Sequence, residues 1–159
     1  MVREFSAGGV VLRRMQARWW LAVIEPQGRR QRGSTARPAN PVLALPKGNV
    51  DQGEKPEQTA IREVREETGV EAALISKLAD IKYFYVRSWG DRQRVFKVVS
   101  FFLLAYRGGR IGHISPTMRR EVRRAMWISL DDAPRRLSYG GEREVVRRAQ
   151  EYLAAHPDF

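Results

Sequence analysis

Pro56 and Gly69 bracket a run that predicts a helix over 57–68. Proline is accepted in a first turn, where its missing N–H has no helical partner, and glycine takes the left-handed backbone just past a last turn. Within it Ile61, Val64 and Thr68 fall on one stripe, while Glu63, Glu66 and Glu67 fall on another at i, i+3 and i+4. The spacing predicts that one face packs and the other presents three carboxylates. Like charges so placed cost an isolated helix about 0.2–0.5 kcal/mol per pair, which a solvated surface absorbs. The same cluster is also the hard-oxygen ligand set that Mg²⁺ prefers, usually one or two carboxylates completed by waters and phosphate oxygens. On the helix alone both readings stay open.

The surroundings sharpen the contrast. From Gly48 to Val70 there are six acids and three bases, a balance of −3 in a chain whose net charge is +11, so the rest carries +14. An acidic island in a basic field suits cations held on the island and an anionic substrate drawn in around it. Only five of the 29 basic residues are lysines, an arginine excess that composition alone can produce, so the total charge says little about nucleic acid. With 159 residues, 43% hydrophobic, the chain is long enough for one core and is read as one domain over 1–159. No cysteine is present, which excludes disulfide scaffolds and thiolate metal sites. Its apolar runs are too short and interrupted to span a membrane, and its start lacks the pattern of a secretory signal, so a cytoplasmic location is expected.

Strands are expected over 5–13 and 19–25, joined by a turn, then over 42–45, 78–87, 94–106 and 125–128, with helical stretches over 130–136 and 142–153. Residues 27–41, rich in Arg, Gly and Pro, read as a mobile basic loop. Helices and strands interleave without regular βα alternation and without a Walker or dinucleotide signature, so the fold class is mixed α/β with helices packed on a sheet.

Gly48, Glu54, Arg62, Glu63, Val64, Glu66, Glu67, Gly69 and Val70 together fill all nine defined positions of GX5EX7REUXEEXGU. The segment resembles the signature box of the Nudix hydrolases without a departure. The resemblance implies an α/β/α sandwich with a mixed β-sheet between helices, and hydrolysis of a nucleoside diphosphate linked to another moiety. It implies Mg²⁺ as cofactor, with Mn²⁺ the other candidate, held by Glu63, Glu66, Glu67 and the backbone carbonyl of Lys47. Arg62 and Glu54 are similar to the pair that braces the loop of the box against its helix.

Charge arithmetic agrees with that assignment. Two unit charges 4 Å apart repel by about 4 kcal/mol at an effective dielectric near 20, so carboxylates alone would repel a pyrophosphate, and divalent ions reverse the sign. For the general base, the resemblance offers Glu63 or Glu66 inside the box, or a later carboxylate. Glu121 is the best later candidate, since it precedes Trp127 by the spacing of diadenosine tetraphosphate hydrolases.

Outside the box, Pro46-Lys47-Gly48, Lys82-Tyr83-Phe84-Tyr85 and Leu137-Ser138-Tyr139 with Glu142-Arg143 look like the dinucleoside polyphosphate branch, although Asn49 stands where that branch usually has histidine. Alternate strand residues share a face, so Tyr83 and Tyr85 could stack a base with Lys82 on the other side, and Lys47 and Lys97 could reach phosphates. The expected substrate is a dinucleoside polyphosphate. Nucleoside triphosphates, ADP-ribose, RNA 5′ ends and a non-cleaving nucleotide sensor are the alternatives, and a homodimer is compatible with the chain. His113 and His156 receive no catalytic role.

Overall fold

The computed structural model describes residues 1–28 and 41–159, so most of the expected 27–41 loop lies outside the described residues. β1 (Val2–Met15) and β2 (Arg18–Pro26) form an antiparallel hairpin. β3 (Lys47–Asn49) leads to α1 (Pro56–Thr68), followed by β4 (Val70–Val86), β5 (Arg94–Gly109), a 3₁₀ turn at Pro116–Met118 and β6 (Val122–Ser129). A short α2 (Ala133–Arg136) and α3 (Gly140–Ala155) close the described chain. The sheet order is β4-β5-β1-β2-β6, with β3 paired to β1. β1 runs parallel to β5, and the other pairs are antiparallel. The expected mixed sheet between helices is what the chain forms. Among the described residues no helix is long and apolar enough to cross a membrane.

β1 is central, and its alternation serves two cores at once. Ala7 and Val11 pack with Ala60 and Val64 of α1, while Val10 and Leu12 pack with Leu137, Val145 and Ala149 on the α2–α3 side. β5 repeats the division, with Phe102 and Leu104 toward α1 and Phe101 and Leu103 toward α3. Burying a large aliphatic or aromatic side chain contributes about 1.5–3 kcal/mol, so both faces of the sheet need a helical cover.

The feature that creates the site is a split between β1 and β2. The two strands pair from Leu12↔Leu21 to Met15↔Arg18, then diverge. Into the gap comes the chain after Pro41. Ala44 bridges to Ile24 of β2, the Gly9 N–H donates to the Pro46 carbonyl, and Lys47–Asn49 pairs with Ser6–Gly8 of β1.

Several expected boundaries move. The strand expected over 42–45 is only that one bridge, because Pro46 has no N–H to donate and ladder pairing resumes at Lys47. β4 begins directly after the helix, at Val70 instead of 78. Irregularities at Glu71/Ala72, Leu74/Ser76 and Lys77/Ala79 break the period of two that would have revealed it. β6 begins at Val122, three residues early, and the helix expected over 130–136 shrinks to Ala133–Arg136.

Candidate active site

α1 is fixed at both ends. The Lys55 N–H donates to Gln58 Oε1 at 2.9 Å ahead of Pro56. At the other end Gly69 adopts φ 84° and its N–H donates to the Arg65 carbonyl. Gly69 cannot be replaced cheaply, since a Cβ there would sit 2.4 Å from the Arg110 carbonyl oxygen.

The helix does not present its acids to solvent as the two-stripe reading expected. Glu63 and Glu67 are buried at 6% and 4% exposure, while Ile61 is only half-buried. The reason is the wedge in the split. Residues 45–49 lie over this side of α1, the Lys47 N–H donates to Glu67 Oε1 at 2.8 Å, and Gly48 lies against the Glu63 carboxylate. Glu66 remains partly exposed.

Arg62 ties the loop to the helix. Its Nε and one terminal nitrogen donate to both oxygens of Glu54, at 2.8 and 3.0 Å, and that nitrogen also reaches the Asn49 carbonyl at 3.1 Å. The other terminal nitrogen donates to Glu63 Oε1 at 2.9 Å and Glu66 Oε2 at 3.0 Å. Thr59 Oγ1 adds a bond to Glu54 Oε1. The Arg62 bidentate contact holds the Glu54 carboxyl down at about 2, far below its ordinary 4.5. The bracing expected of Glu54 and Arg62 is therefore made.

The remaining carboxylates are pushed the other way. Burial raises Glu67 to about 8, against the opposing Lys47 N–H, with repulsion from Glu63 and Glu121 adding to the rise. Burial also raises Glu63, opposed by Arg62 and reinforced by Glu66 and Glu121. Glu121, exposed just before β6, is thus brought close enough for its charge to be felt by both.

Glu63 Oε2 is buried with no hydrogen-bond partner. A desolvated carboxylate oxygen without a donor is costly, and a divalent cation is the partner that oxygen-only ligands of this kind accept. The donor set therefore fits such an ion, through Glu63, Glu67, Glu66 and the neighbouring Lys47 carbonyl. Among the described residues no three acidic groups already stand in a ligand arrangement, and Arg62 draws one oxygen each of Glu63 and Glu66 to itself.

Lys47 also joins this cluster to a pocket of about 470 Å³ on the α3 side, lined by Tyr83, Tyr139, Ile81, Phe101 and Glu142. Tyr83 and Tyr139 are both about half exposed there. Lys47 Nζ donates to Glu142 Oε2 at 2.9 Å, and the other oxygen of this buried carboxylate accepts the Leu45 N–H at 2.7 Å. Tyr85 lies beside Tyr83, ring centroids 6.3 Å apart, and its hydroxyl donates to Glu4. Lys97, opposite Tyr83 on β5, donates to Glu4 and to Asn49 Oδ1.

Lys47, Tyr83, Tyr85 and Lys97 are thus gathered on one face. Lys82 is not: strand alternation turns it to the opposite face, away from the pocket that Tyr83 lines. Glu142 and Tyr139, which complete the pocket, carry no spacing signal that would link them to Lys47, because 95 residues separate Glu142 from it.

A family model described as the NUDIX domain matches residues 5–149. MutT4 of Mycobacterium tuberculosis, which carries a mutator-protein name, is 34% identical over 152 residues, covering 96% of this chain and 56% of that protein. The chain thus spans little more than half the length of MutT4. The asymmetrical bis(5′-nucleosyl)-tetraphosphatase of Mus musculus is 29% identical over 113 residues, covering 70% of this chain and 72% of the mouse protein. Among solved structures, a C. elegans Ap4A hydrolase binary complex shares the fold, with a TM-score of 0.68 at 21% identity over 96% of this chain and 98% of that one. The family match takes in the split strands, the wedge and the acid-bearing helix alike, and the chain belongs to the NUDIX domain family.

Proposed function

We propose that the protein is a divalent-metal-dependent pyrophosphohydrolase of nucleoside diphosphate-linked substrates, with dinucleoside polyphosphates as the preferred class and Mg²⁺ as the ion. The observation that carries this reading is the buried, unpartnered Glu63 Oε2 beside the buried Glu67. Nudix hydrolases generally use divalent ions, and one held here by Glu63, Glu66, Glu67 and the Lys47 carbonyl supplies the positive charge that lets a pyrophosphate approach.

The chain's own residues do the rest. Arg62 and Glu54 hold the loop carrying Lys47 against α1, so the ligands keep their spacing. Tyr83 and Tyr139 offer exposed rings for a base, and Lys47 lies at the pocket wall nearest the acids. Glu121 accepts the proton of the attacking water, with Glu63 or Glu66 as the alternative base. The water oxygen bonds to phosphorus, the bridging P–O bond breaks, and the leaving phosphate carries off the electron pair.

The mouse tetraphosphatase relative supports a dinucleoside polyphosphate. A nucleoside triphosphate is the second reading, favoured by the 34% identity over 112 residues to the 8-oxo-(d)GTP phosphatase of Mycolicibacterium smegmatis. Product analysis across a nucleotide panel in ¹⁸O water, with and without chelator, tests both. Turnover that persists in excess chelator, or labelled product from none of the panel, would overturn the proposal.

A further inference from the structure

A second cleft, about 760 Å³, opens beside Glu66 at the C-terminal end of α1. Arg65 and Arg119 line it, together with His113, Ser115, Glu66 and Glu71. Its wall is strapped to the helix, for the Ser115 N–H donates to the Glu66 carbonyl at 3.1 Å and the Gly112 N–H to the Thr68 carbonyl at 2.9 Å. Two residues beyond Arg119 the same segment delivers Glu121, whose N–H donates to the Met118 carbonyl. The cleft therefore adjoins the acid cluster through Glu66, which lines it.

Among the described residues neither the Arg65 nor the Arg119 guanidinium has a carboxylate partner, although Glu66 and Glu71 also line the cleft. Glu66 instead accepts from Arg62. Two exposed guanidinium groups that make no ion pair, set in a concavity, are suited to phosphate oxygens, since the planar fork matches them and is weakly hydrated.

We infer that Arg65 and Arg119 bind the phosphate chain of the substrate beyond the attacked phosphorus. The inference rests on the proposed hydrolase reading for its orientation. The binding chemistry of the cleft is separate and can be tested without turnover.

Inorganic tripolyphosphate, titrated calorimetrically into the whole chain in metal-free, low-salt buffer, is the probe. The double variant Arg65→Gln/Arg119→Gln is expected to bind about tenfold more weakly, equivalent to about 1.4 kcal/mol. The charge-matched double variant Arg147→Gln/Arg148→Gln on α3 is expected to keep wild-type affinity, and the single variant Arg119→Gln to fall between, each checked for folding by thermal melt. No binding by the wild type, no loss in the cleft variant, or an equal loss in the α3 variant would overturn the inference. If the cleft variant loses affinity while the wild type hydrolyses nothing in the nucleotide panel, the cleft stands and the hydrolase reading falls. Turnover without a cleft effect means the reverse.

Discussion

Gly48 and Glu63 are in direct apposition: a Cβ at position 48 would lie 2.1 Å from Glu63 Cδ and 2.2 Å from its Oε1. The glycine is there for close approach. Its neighbour strand-pairs with β1, so the backbone cannot retreat, and the carboxylate would have to move.

Gly48→Ala is accordingly expected to displace the Glu63 carboxylate and weaken divalent-ion affinity about tenfold, the equivalent of about 1.4 kcal/mol. Calorimetric Mg²⁺ or Mn²⁺ titration of the folded variant checks this. Wild-type affinity would mean that Glu63 takes no part in holding the ion.

Glu67→Gln keeps the acceptor for the Lys47 N–H and removes a carboxyl that can ionise to hold a cation. The fold is expected to survive with stability within about 1 kcal/mol of wild type, while kcat falls by orders of magnitude. A thermal melt beside steady-state turnover separates the two effects. A folded variant with near-normal kcat contradicts the metal assignment.

In chelator, stability should fall as pH rises from about 4.5 to about 8. Across that window folded Glu67 keeps a proton that the unfolded chain has already released. Glu54 has the opposite sign: its contribution is complete above about 4.5 and is lost as pH falls toward 2. Urea midpoints in EDTA are therefore expected to be lower at pH 8 than at pH 5, and Glu67→Gln should flatten that difference. An unchanged slope in the variant would assign the pH dependence to another group.

Tyr139→Ala should raise KM for a nucleotide about tenfold with little change in kcat, since stacking a base on an aromatic ring contributes about 1–3 kcal/mol. The split between KM and kcat is the readout. A fall in kcat at constant KM would place Tyr139 in the chemistry instead of in base binding.

The β1–β2 turn offers a stability test remote from the site. Gln16 and Ala17 have φ of 53° and 62°, the type I′ backbone that Asn-Gly adopts without strain. Gln16→Asn with Ala17→Gly is expected to stabilise the chain by about 0.5–1 kcal/mol, read as a higher urea midpoint. A lower midpoint would show that the turn's present residues are held by other contacts.

How much of this could be read beforehand depends on where each contact lies along the chain. Glu54, Arg62, Glu63 and Glu67 fall within 23 contiguous residues, so the bracing of Glu54 by Arg62 was legible. Their burial was not, because it is imposed by residues 45–49 entering a gap between two strands, and a three-residue strand has no period to reveal it. Glu142 was invisible as a partner of Lys47 because nothing local marks a pair 95 residues apart. The face shared by Tyr83 and Tyr85, with Lys82 turned to the other side, followed from alternation; Lys97 joins it through the register Tyr83↔Lys97, which no local spacing shows.

The parallel ladder between β1 and β5 runs from Val2↔Val95 to Leu12↔Ala105. β1 therefore waits for a strand made more than ninety residues later before its edge is satisfied. Until then β1 and β2 form a hairpin with an open, apolar flank, the kind of species that aggregates or recruits a chaperone during synthesis. The central placement that lets β1 serve both helical layers thus commits the whole domain to forming after most of its length has been translated.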